Sequence, residues 1–88
     1  MLAISYKQDS GVSRDIVDQL GARIRKLREA RGWTQFEMSE RVGIDRSYLS
    51  EVETGKIELC VRNLALIAYA FGMEPWELLR VKAGTKSV

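Results

Sequence analysis

Apolar side chains recur along this chain at spacings of three and four, and that period divides it into five short helical stretches. Ile16, Leu20, Ile24 and Leu27 form one stripe, with Ser13 ahead of it as a candidate cap and Gly32 behind it as a stop. They predict a first helix over residues 14–31, slightly weakened in its middle by Gly21. Thr34 and Glu37 then stand at the spacing of a capping box, in which each side chain satisfies an otherwise orphaned backbone donor. The second helix presents Met38 and Val42 on one face, and Gly43 follows where the chain must reverse through positive φ. Asp45 can cap a third helix over residues 46–53, with Leu49 and Val52 inside, Arg46, Ser47, Ser50 and Glu51 outside, and Thr54 and Gly55 closing it. A fourth helix is predicted over residues 61–71, ending at Gly72, with Leu64, Ile67, Ala68 and Phe71 as its core stripe. Pro75 lacks a backbone donor, which suits a first helical position, so a fifth helix is predicted from there to Leu79 or Val81.

The ends of the chain lack this period. LAISY alternates as a short strand would, but an isolated strand needs a partner, so residues 1–13 are expected to form a flexible or partner-dependent arm. Residues 14–81 are expected to form one all-α domain, and residues 82–88 a frayed tail.

Residues 34–55 are the most informative segment, because two short helices crossing at a glycine turn can set one of them in the DNA major groove. The same pairing also packs helices in proteins that never meet nucleic acid. A chain of 88 residues has room for one core, and 45% hydrophobic content is ordinary for a folded domain. Its single cysteine, Cys60, allows no intramolecular disulfide and holds no structural metal alone, and histidine is absent. No metal, cofactor or catalytic centre is expected. No run of 18 apolar residues is present and the first residues are too polar for a signal peptide, so the expected compartment is the cytoplasm and no membrane is involved. Net charge is only +2, yet Arg23, Arg25, Lys26, Arg28 and Arg31 crowd one segment against Glu29 alone, as a phosphate-binding patch or as a solvated helix face.

From Leu20 to Leu79 the chain resembles the lambda-repressor-like (Cro and XRE type) helix-turn-helix family. The resemblance is carried by Leu27, Arg28, Gly32, Thr34, Gln35, Gly43, Tyr48, Leu49, Ser50, Glu53, Gly55, Ile67, Ala68 and Gly72. It implies a compact five-helix DNA-binding domain in which the second and third helices are the helix-turn-helix. It implies that Arg46, Ser47, Ser50 and Glu51 face the bases, Arg46 foremost, since arginine can grip guanine with two hydrogen bonds. Glu51 either accepts from cytosine, repels phosphates or pairs with a neighbour. Gln35, Tyr48, Thr54 and Lys56 match positions that touch the sugar-phosphate backbone in relatives, with Tyr48 equally suited to the core edge. Arg28 and Glu53 match an internal salt bridge.

Two departures stand out. Leu59 and Cys60 occupy places where many relatives have proline and then serine or threonine, so a weakly bonding thiol replaces the hydroxyl cap of the fourth helix. Ser39 replaces an alanine at the tight crossing of the second and third helices, where small size is what counts. The fourth helix is apolar nearly all round, because Leu66 and Tyr69 sit where relatives carry polar residues. With Trp76 they suit a two-fold dimer interface, the bland alternative being that Tyr69 covers the core edge and Trp76 anchors the fifth helix. The function implied is a transcriptional regulator that binds double-stranded DNA at a palindromic operator as a homodimer, in the manner of phage repressors, restriction-modification controllers or antitoxins. A different class of function would have the same apolar helix and the arm bind a protein partner.

Overall fold

Five helices carry the chain in the computed structural model, which describes residues 10–81, with side chains from residue 15 onward: α1 (Ser10–Ala30), α2 (Gln35–Val42), α3 (Arg46–Glu53), α4 (Val61–Phe71) and α5 (Pro75–Leu78). The all-α class and the order of helices are those expected. α1 is longer than predicted: it begins at Ser10, so Ser13 lies within it and is not its cap. The apolar spacing already includes Val12, four positions ahead of Ile16, and this extends the helical period past the predicted start. Four residues assigned to the arm are therefore helical, while residues 1–9 and the tail at 82–88 lie outside the described residues. α5 stops at Leu78, shorter than predicted.

The caps predicted for α2, α3 and α4 are in place. Thr34 Oγ1 accepts from the Glu37 N–H at 3.0 Å, and Glu37 Oε1 accepts from the Thr34 N–H at 2.9 Å. Gly43 sits at φ 84°, a left-handed conformation that side chains with a β-carbon resist, and its N–H returns to the Ser39 carbonyl. Asp45 Oδ2 accepts from the Ser47 N–H at 3.0 Å and starts α3. The thiol of Cys60 does serve as the α4 cap, accepting from the Asn63 N–H at 3.4 Å.

Packing follows from the stripes. α1 lies against α3 and α5, α2 against α3 and α4, and α4 against α5. Between them Leu20, Ile24, Met38, Val42, Leu49, Val52, Ile67, Ala68, Phe71 and Leu78 form the core. Ser39 is buried as its place at the crossing requires, and its hydroxyl donates to the Phe36 carbonyl, so serine costs no unsatisfied group there. Gly21 has a larger role than its helix propensity suggests. A β-carbon at this position would fall on the carbonyl oxygen of Val52, so the end of α3 seats on α1 only because residue 21 has no side chain.

Three of the basic residues along and just after α1, Arg23, Arg28 and Arg31, are engaged within the molecule. Arg23 donates to the carbonyls of Leu78 and Glu77 at 3.1 and 3.0 Å, closing the C-terminus of α5. Arg31 donates to the Phe71 carbonyl at 2.7 Å and so caps α4, its guanidinium lying 4.7 Å from the Phe71 ring centroid. Trp33 stacks on Phe71 at 5.9 Å and takes Arg41 on its ring at 4.5 Å, which pins the turn between α1 and α2. Arg25 pairs with Glu29 at the surface. Of the five basic residues, Arg23 and Arg31 thus cap helices, because carbonyls left unpaired at helix ends compete for the nearest arginine, while Arg25 and Lys26 lie on the exposed face.

Candidate nucleic-acid interface

α3 is held at both ends and exposed along its outer side. At its C-terminus the Glu53 carboxylate, buried to 1% exposure, receives Arg28 Nε at 2.7 Å and Arg28 Nη2 at 3.1 Å. A third donor, Gln35 Nε2, reaches Glu53 Oε1 at 2.9 Å, and Arg28 Nη1 also donates to the Trp33 carbonyl at 2.8 Å. One carboxylate therefore joins α1, α2 and α3, and Arg28 extends the network to the turn at Trp33. Donating to the Glu53 carboxylate holds the Arg28 guanidinium above its ordinary pKa, against the opposing effect of burial. Protonated Arg28 thus contributes stability in full below its ordinary value, and loses it only as pH rises through the higher folded value.

The outward face carries the residues assigned to bases. Arg46, Ser47 and Glu51 are exposed and Ser50 is half-buried, and the Arg46 and Glu51 side chains have no hydrogen bond or ion pair among the described residues. The structure brings these four together on one side of a helix whose other side is Leu49, Val52 and Glu53. Glu51 therefore does not pair with a neighbour here.

The residues assigned to phosphates are arranged less uniformly. Gln35, the first residue of α2, gives one amide hydrogen to Glu53 and keeps the other. Thr54 donates its hydroxyl to the Ser50 carbonyl at 2.9 Å, so that hydrogen already has an acceptor within the chain. Lys56 is exposed just beyond α3. Tyr48 packs its ring against the core while its Oη accepts from Asn63 Nδ2 at 3.0 Å, so core edge and polar contact are combined in one side chain. This bond draws the first turn of α4, with exposed Arg62, alongside the first turn of α3. Sequence patterning missed Asn63 and Arg62, since neither alters the apolar period.

On α4 and α5, Tyr69 is 85% exposed, Trp76 60% and Leu66 39%. Tyr69 therefore does not cover the core edge. Trp76 does not anchor α5 to the core, which is done by Leu78, and instead carries Arg80 over its ring at 5.8 Å. Among the described residues no helix is long and apolar enough to cross a membrane, and no group of three or more histidine, cysteine or acidic side chains could hold a metal.

A family model described as a helix-turn-helix domain matches residues 19–81. The crystal structure of the restriction-modification controller protein C.AhdI from Aeromonas hydrophila is 39% identical, with a TM-score of 0.68 over 73% of this chain and 96% of that one. A Neisseria hypothetical transcription factor from Neisseria meningitidis serogroup B is 32% identical over 66 residues, or 75% of this chain and 62% of that protein. The chain thus spans somewhat under two thirds of that relative. The restriction-modification controller protein C.Esp1396I, solved as a tetramer in complex with its natural 35 base-pair operator, is 25% identical, with a TM-score of 0.65 over 73% of this chain and 88% of that one. With the capped helix pair, the glycine turn and the Arg28–Glu53 brace all in place, the chain belongs to the helix-turn-helix domain family, within its lambda-repressor-like group.

Proposed function

We propose that this protein recognises one approximately two-fold-symmetric DNA operator as a homodimer, and regulates a promoter by occupying it. The observation that carries this is the outer face of α3, which offers Arg46, Ser47, Ser50 and Glu51 while the inner face is fixed by Leu49, Val52 and the Glu53 brace. A side chain reads a base edge only if the helix bearing it is held in register. Arg46 is the principal reader, through two hydrogen bonds to a guanine. Gln35, with its remaining amide hydrogen at the start of α2, together with Lys56 and Tyr48, sets register on the phosphates. Thr54 joins them only by releasing the Ser50 carbonyl. Leu66, Tyr69 and Trp76 form the dimer contact, which would set two reading helices about 34 Å apart on successive major grooves. Action is by binding alone, with no bond made or broken, and its compartment is the cytoplasm.

Selection of bound duplexes from a random pool tests this. A palindromic site with half-sites one helical turn apart is expected, and failure to enrich any sequence would sink the proposal. Protein-partner binding through the same apolar helix is separated from it by salt, because phosphate contacts weaken steeply with ionic strength and an apolar protein interface barely responds.

A further inference from the structure

The hydrogen bond between Asn63 Nδ2 and Tyr48 Oη, at 3.0 Å, joins the first turns of α3 and α4 across 15 residues of chain. Asn63 is fixed at its own end, since its backbone N–H is the group that the Cys60 thiol caps. Tyr48 is fixed by its ring, which is half-buried against the core cluster. A phenol hydroxyl has one hydrogen and can accept through its lone pairs. With the Asn63 amide donating to the oxygen, the hydroxyl hydrogen is turned away from Asn63, and it meets no acceptor among the described residues. We infer that Asn63 is a positioning residue that orients the Tyr48 hydroxyl as a donor to a DNA phosphate oxygen. Phosphate oxygens accept and do not donate, so an oriented donor is what such a contact requires. The chain from amide to phenol to phosphate would also be cooperative, because each donated bond polarises the next. The inference rests on α3 being the DNA-facing helix, and it assigns to Asn63 a role exerted through Tyr48 rather than by touching DNA.

A double-mutant cycle on DNA affinity tests it, with Tyr48→Phe and Asn63→Ala made singly and together and each variant's thermal midpoint recorded. Because a phosphate contact is sequence-independent, the cycle can be read on any duplex at low salt as well as on a selected site. Each single variant is expected to bind about fivefold more weakly, as loss of one net hydrogen bond implies, and the pair about fivefold rather than about twenty-five-fold. Asn63→Leu, which keeps the bulk of the side chain and cannot donate, should behave as Asn63→Ala does and serves in its place if the alanine variant folds poorly. If the losses multiply, or if Asn63→Leu weakens binding equally in the Tyr48→Phe background, Asn63 does not act through the hydroxyl and the inference is overturned. If the wild-type protein binds no duplex at all, the DNA-facing assignment of α3 fails first and takes this inference with it.

Discussion

Glu53 shows what a single carboxylate can hold together. Its side chain sits at 1% exposure, so its charge would be costly there without the two hydrogen bonds from Arg28 and the third from Gln35. Removing one partner of such a pair strands the other, and Arg28→Ala is expected to lower unfolding free energy by about 3–5 kcal/mol in urea denaturation. Replacing both at once, as Arg28→Met with Glu53→Leu, should cost less than either single removal, since no buried charge is then left over. An additive double variant would show that the pair is not coupled. Arg46 is the opposite case: exposed and unpaired, it should lose base selectivity as Arg46→Ala while thermal stability stays within about 0.5 kcal/mol of wild type. Unchanged footprints on the selected site would exclude it as the reader.

Each helix end was legible where it depends on local chemistry. Thr34 with Glu37, Gly43, Asp45, Gly72 and Pro75 all act at the chain positions where their side chains or backbone preferences are most useful. The Arg28–Glu53 bridge was legible only through family resemblance, since 25 residues separate the partners. What lay beyond the sequence depends on distant backbone: Arg23 and Arg31 find carbonyls 55 and 40 residues away, and Gly21 meets the end of α3. Gly21→Ala gains helix propensity but drives a β-carbon into the Val52 carbonyl, so a net loss of about 1–3 kcal/mol is expected by thermal melting. A stabilised variant would mean that α1 and α3 can part without cost. Cys60→Ser should move stability the other way, by up to about 1 kcal/mol, because a hydroxyl accepts the Asn63 N–H more strongly than sulfur does.

At the scale of the whole molecule, an exposed Tyr69 and Trp76 on neighbouring short helices leave apolar area that a small domain has reason to cover. Tyr69→Glu is expected to move the protein toward monomer in sedimentation and to weaken operator binding together with it. A dimer of unchanged strength would place the contact elsewhere. α1 and the turn that follows it are the common beam of this assembly: α3 rests on Gly21 and is gripped by Arg28, α5 hangs from Arg23, and α4 is closed by Arg31, just past the end of α1. Two such units joined through α4 and α5 would behave as a caliper with a locked hinge. An operator lengthened by one base pair at its centre moves the second half-site by about 3.4 Å and rotates it about the helix axis, and that strain would have to be taken up by bending the DNA, not by the protein.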